Sequence, residues 1–142
     1  MREHVIAQKY ELEKLGKEHY VEREAEKKLK QYLPTDLIKV ITGPRRAGKS
    51  FLAVRALKEN FGYVNFDDEV LTKAEDLNEV LKLVHEVYGE FETLFLDEIQ
   101  NVKDWELFVN RLRRLGYNVV LTGSNSKLLS SELPSDGEIC GR

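Results

Sequence analysis

Cysteine is almost missing from this chain of 142 residues: Cys140 is the single copy, which excludes an internal disulfide framework and fits a reducing compartment. Long hydrophobic runs are missing as well. The longest apolar stretches reach about five residues, against the roughly 20 that a spanning helix needs. The N-terminus, MREHVIAQKYELEK, carries no apolar stretch of the signal-peptide kind. The expectation is a cytoplasmic protein with no membrane partner. Metal-ligand clusters are equally scarce: His4, His19 and His85 show neither ligand spacing nor cysteine companions, so no zinc site is read. Internal repeats and low-complexity segments are absent, and neither sign of charge dominates, the formal net charge being -3.

What is present is enough apolar material, 42% of residues, for one domain with its own core. The small net charge hides an uneven distribution. Residues 37–58 carry six Lys or Arg and no acid, whereas 59–106 carry fourteen acids and three bases. A basic segment of that kind suits a polyphosphate site, and also suits a solvated face.

Hydrophobic spacing then divides the chain. Residues 11–33 read as an N-terminal helical segment, with Val21, Ala25, Leu29 and Tyr32 or Leu33 on one face, Gly16 as a point of division and Pro34 as its stop. Leu37 to Ile41 forms a first strand, Ser50 to Asn60 a helix closed by Phe61-Gly62, and Tyr63 to Phe66 a second strand. Asp76 caps a helix that runs to Gly89, followed by a third strand over Thr93–Leu96. Asp104 caps another helix ending at Gly116, and Val119–Leu121 is a fourth strand. Strands without polar alternation must be buried on both faces, so the alternation of strand and helix predicts an α/β fold: a parallel sheet between helical layers.

Two motifs carry the chemistry. Gly43-Pro44-Arg45-Arg46-Ala47-Gly48-Lys49-Ser50 matches G-x-x-x-x-G-K-[ST], the phosphate-binding loop, directly after a strand and at the opening of a helix. Its glycines let the backbone wrap close to phosphate, and the loop amides and helix N-terminus point at the anion. Lys49 reaches the terminal phosphates and Ser50 holds magnesium, with Phe51 next in the first helical turn. Leu94-Phe95-Leu96-Asp97-Glu98 places two carboxylates where a buried strand stops, the edge at which open parallel sheets put their ligands. After a phosphate-binding loop, Asp97 is the expected magnesium ligand and Glu98 the group that polarises an attacking water.

Other polar clusters have two readings each. Ser124 and Asn125, after the fourth strand, can hydrogen-bond a terminal phosphate or cap the helix suggested by Lys127-Leu128-Leu129. Asp67-Asp68 can reach the site or lie in a solvated loop. Arg111, Arg113 and Arg114, with Lys127, form a solvated basic face or a contact for nucleic acid, which no aromatic reading platform supports.

The combination of GPRRAGKS, LFLDEIQNVKDWELFVNRLRRLG and VVLTGSNSKLL resembles an archaeal and bacterial family of AAA-like ATPases within the additional-strand P-loop group. The resemblance covers about residues 34–142 and implies a three-layer, RecA- or AAA-like P-loop core preceded by the 1–33 segment. It implies ATP with Mg2+ as ligands, Gly43 to Phe51 as the nucleotide cradle, Ser50 and Asp97 as metal ligands, and Glu98 and Lys49 as catalytic groups. Ser124 or Asn125 takes the sensor role by the same likeness. The implied strand order is 5-1-4-3-2. Similar proteins continue past a Gly-Arg pair like Gly141-Arg142 into a fifth core strand, so the sheet is expected to stop short of that strand. With the remainder absent, a protein partner or a second copy would complete the site, Arg142 being one candidate for the charge-stabilising arginine, and turnover by this chain is expected to be slow.

Overall fold

The computed structural model describes residues 1–15, 24–35, 37–42, 49–57, 60–123 and 138–140. Among the described residues five strands, β1 (Lys39–Thr42), β2 (Phe61–Asn65), β3 (Thr93–Asp97), β4 (Asn118–Gly123) and β5 (Glu138–Cys140), form one sheet in the order β2-β3-β4-β1-β5. Each adjacent pair is parallel. The α/β parallel sheet and its strand order agree with the reading of the sequence. The expected stop before a fifth strand does not: Glu138–Cys140 pairs with β1 in the register Val40↔Glu138. Three residues are too few to show a strand period, and the parallel pairing to β1 is what makes them one.

Strand residues alternate between two cores because successive side chains leave a strand on opposite faces. On one face Val40, Val64, Leu94, Leu96, Val119 and Leu121 pack with Val80 and Val84 of α5 (Leu77–Tyr88) and with Trp105, Phe108, Val109 and Leu112 of α6 (Trp105–Arg114). On the other, Ile41, Phe61, Tyr63, Phe95 and Val120 pack with Leu52, Ala53 and Ala56 of α3 (Lys49–Leu57) and Leu29 of α2 (Glu24–Tyr32). Each such side chain, fully buried, contributes about 1.5–3 kcal/mol, so the two helical layers are held by the strands' apolar runs rather than by surface charge.

The N-terminal segment differs from its expected form. A helix, α1, occupies Arg2–Leu15, so it begins well before the expected residue 11, and α2 occupies Glu24–Tyr32. Val5 and Leu12 of α1 are buried, one in each core, and Gln8 lies between them. The Gln8 amide donates to the Asn65 carbonyl at 2.9 Å and accepts from the Asn65 N–H at 3.0 Å. It thereby pairs the end of β2, an edge strand whose backbone groups need partners.

Two local readings are also corrected. Gly62 lies inside β2 rather than at a helix end: a Cβ there would sit 2.7 Å from Phe91 and 2.8 Å from Val84, so only glycine lets α5 approach so closely. The turn into β2 is made by Asn60, whose φ is 65°. Asp104 occupies the position before α6 with φ 56° and gives no side-chain cap, whereas Asp76 does cap α5 through the Asn78 N–H at 2.8 Å. Asp68 caps a short helix, α4 (Glu69–Thr72), and its carboxylate also meets His4 Nδ1 at 2.6 Å. Burial pushes the Asp68 carboxyl up, but hydrogen bonds from His4 and from the Val70 and Leu71 amides outweigh it and hold the group below its ordinary range. Asp67 accepts from Asn101 Nδ2 at 3.4 Å. Among the described residues no helix is long and apolar enough to cross a membrane.

Candidate functional site

All strands being parallel, the C-terminal ends of β1, β3 and β4 open on one edge. β3 is buried along Leu94–Leu96 and ends on Asp97, 3% exposed. Its carboxylate is gripped by three hydroxyls from three different elements. Ser50 Oγ, from the first turn of α3, donates to Oδ2 at 2.6 Å, and Tyr63 OH, from β2, donates to the same oxygen at 2.7 Å. Thr122 Oγ1, from β4, donates to Oδ1.

Burial is the largest influence on Asp97 and pushes its carboxyl above the ordinary range; the three hydroxyls pull it down, and the neighbouring Glu98 charge pushes it up again. Burial and the adjacent Asp97 also push the Tyr63 hydroxyl far up, so Tyr63 keeps its proton and acts as a donor. A buried carboxylate served by rotatable hydroxyls is a hard-oxygen site whose partners can exchange without backbone movement.

Glu98 follows in the left-handed region, φ 54° and ψ 45°, a conformation that costs a side-chain-bearing residue roughly 1–2 kcal/mol. The surroundings hold it there. Its N–H donates to Thr122 Oγ1 at 3.0 Å, and its Oε2 accepts from Gln100 Nε2 at 2.7 Å. Beyond it a 3-10 turn, Ile99–Asn101, is anchored by the buried Ile99 and by Asn101 Nδ2 donating to the Phe66 carbonyl at 3.1 Å.

A family model described as an AAA domain matches residues 35–138, which span β1 to β4 and the Ser50–Asp97 contact. The chain belongs to the AAA-domain family. AAA domains are nucleotide-binding, ATPase-like modules that generally take ATP with Mg2+. Among curated proteins, this AAA domain is 41% identical over 137 residues to an uncharacterised protein of Methanocaldococcus jannaschii, covering 92% of this chain and 30% of that one. It is 34% identical over 132 residues to an uncharacterised protein of Haemophilus influenzae, covering 84% of this chain and 32% of that one. The chain thus spans about a third of the length of the curated relatives it matches.

Of the residues expected at the site, Ser50 and Asp97 are in direct contact, with Glu98 adjoining. Lys49 and Phe51 lie in the first turn of α3. Gly43, Pro44, Arg45, Arg46, Ala47 and Gly48 fall outside the described residues, as do Ser124, Asn125, Lys127 and Arg142. Asp68, as α4 cap and His4 partner, and Asp67 are engaged elsewhere. Arg111, Arg113 and Arg114 line a groove beside Lys103 but also beside Glu75, Asp76 and Asp104, so the charge there is mixed. Tyr63, Thr122 and Gln100 were not legible as site residues. The one available signal was alternation: Thr122 directly follows the apolar run Val119-Val120-Leu121, and Tyr63 lies on the same side of β2 as Phe61.

Proposed function

We propose that this AAA domain binds ATP with magnesium and hydrolyses it, as a member of the additional-strand P-loop group with residues 34–142 as the ATPase core. The observation that carries the reading is the 2.6 Å contact between Ser50, the last residue of the phosphate-loop motif, and Asp97 at the end of β3. The two residues are separated by 47 positions in sequence, and their contact brings the last residue of the loop motif and the strand-end carboxylate to one point. Magnesium prefers hard oxygens, keeps several waters, and is bound through one or two carboxylates plus substrate phosphates. The Asp97 carboxylate and Ser50 hydroxyl fit that donor set. When bound, the ion would neutralise charge on the terminal phosphates.

The chain's own residues divide the remaining work. Gly43 to Gly48 offer backbone amides to the phosphates, Lys49 contributes a fixed positive charge, and Phe51 continues the helix that backs the loop. Glu98 is the base that orients water, and Ser124 or Asn125 contacts the terminal phosphate. Calorimetric titration of magnesium ATP into the chain tests the reading. Binding that Lys49→Ala weakens at least a hundredfold is expected; binding that survives Lys49→Ala, or a folded chain that takes no nucleotide, overturns it.

A second reading, a nucleotide-dependent switch without productive turnover, is favoured by one observation: Gln100 Nε2 already engages the Glu98 carboxylate. Phosphate release separates the two. Glu98→Gln should lower turnover by about 10²–10⁴-fold and spare binding if Glu98 is a working base; unchanged release would support the switch. The partner or second copy that completes the site, and the client of the longer protein, belong to the same proposal.

A further inference from the structure

Resting on the reading of Asp97 as the magnesium-side carboxylate, we propose that Tyr63 and Thr122 are positioning residues that clamp Asp97 from both neighbouring strands and so set its affinity for the magnesium form of the nucleotide. The sheet's register dictates the arrangement. β3 lies between β2 and β4, with Tyr63 paired to Phe95 and Leu96 to Leu121. Tyr63 therefore starts two residues short of Asp97 on the same face, and its ring rests on Phe95 at a centroid distance of 5.0 Å. The ring's length carries the hydroxyl forward along the strand to Oδ2, 2.7 Å away. Thr122 closes on Oδ1 from the opposite side.

Packing alone does not ask for these hydroxyls. Phe61 and Phe95 occupy the same apolar layer as Tyr63, so phenylalanine would fill the Tyr63 position equally well, and Val120 shows that a branched apolar residue suits the face that Thr122 shares. What the two hydroxyls add is a grip that does not depend on Ser50. Ser50 shares Oδ2 with Tyr63, and it sits on α3 beside the phosphate loop. Once its hydroxyl turns to another partner, Tyr63 remains on Oδ2 and Thr122 on Oδ1, so the carboxylate keeps its plane at the moment it is needed. Outer-shell partners of metal ligands typically govern 10–100-fold of metal affinity.

The test compares ATP binding by the 142-residue chain and by Tyr63→Phe, titrated once in EDTA and once in excess magnesium, with thermal unfolding in EDTA as the check on folding. In EDTA the two should agree within about twofold, while the gain in affinity conferred by magnesium should fall roughly tenfold in the variant. In an Asp97→Asn background Tyr63→Phe should have no further effect on that gain. Thr122→Val probes the clamp from the other oxygen, should Tyr63→Phe not hold its fold, and the same selective loss is expected. An equal loss in both media, an undiminished magnesium gain, or additivity with Asp97→Asn overturns the clamp. A wild-type chain that binds ATP with no magnesium gain would instead sink the role of Asp97 itself, which keeps the two failures apart.

Discussion

Among the described residues the sheet buries one charged side chain at each end, and the two are treated differently. At the N-terminal end Lys39, 0% exposed, donates to the Thr35 carbonyl at 2.5 Å and to Asn118 Oδ1, while Asn118 Nδ2 donates to the Leu33 carbonyl at 2.7 Å. The Asn118 amide is committed at both its atoms, so this cluster fastens the chain leaving α2 to β4. At the C-terminal end Asp97 is held by hydroxyls, which rotate, and Glu98 next to it is kept in a left-handed conformation. Equal burial thus serves attachment at one end and readiness at the other. Glu98 carries its left-handed backbone at the edge where the proposed site lies.

Breaking the fastening should have the largest effect. Lys39→Met removes the donor shared by the part-buried Asn118 and Thr35 acceptors, so urea unfolding should show a loss of roughly 1–3 kcal/mol. Magnesium ATP affinity of the folded fraction should stay within a factor of about two, because a site at the far edge shares none of these bonds. A lost affinity with little lost stability would reverse the assignment of the two ends.

The strained end predicts the opposite sign. Glu98→Gly removes the Cβ that makes φ 54° costly, so the variant should gain up to about 1 kcal/mol in unfolding free energy, less what glycine adds to the unfolded chain's freedom. Phosphate release should fall with it. Stability that drops by 1 kcal/mol or more would mean that the Glu98 side chain, through Gln100, holds the turn together and that its conformation stores nothing.

These contrasts were only partly legible in the residues. Leu94-Phe95-Leu96 and Val119-Val120-Leu121 announce strands because three apolar residues in a row must be buried on both faces, and Asp97 stands out because a carboxylate ends such a run. The α5 and α6 stripes were equally plain from their period. Tyr63 was not, because its relation to Asp97 exists only once β2 and β3 are in register. Gln8 was missed for a similar reason: a polar residue between Val5 and Leu12 spoils an apolar stripe, and its purpose, to pair the Asn65 backbone, lies 57 positions away. Gly62 and Asp104 misled because glycine and aspartate mark helix ends by local conformation, whereas here a neighbouring side chain and a left-handed backbone decide.

The smallest effect sharpens the comparison through pH, because two aspartates near the sheet's C-terminal edge are shifted in opposite directions. Asp68, on the His4 contact and the α4 cap, has its folded carboxyl below the unfolded value of 3.8. A depressed carboxyl stabilises the fold when ionised: its contribution is complete above the unfolded value and disappears as pH falls through the folded one. Asp97, raised by burial, has the reverse sign in the nucleotide-free chain, its contribution being present below the unfolded value and lost as pH rises through the folded one. Asp68→Asn should therefore lower the unfolding free energy by under about 1 kcal/mol at neutral pH, the scale of a single cap. That difference should shrink below about pH 4, where the unfolded carboxyl takes up its proton. Thermal melts of the two chains from pH 3 to pH 7 measure it, and a difference that stays constant across the range would show that Asp68 acts through the α4 cap alone, without the charge that faces His4.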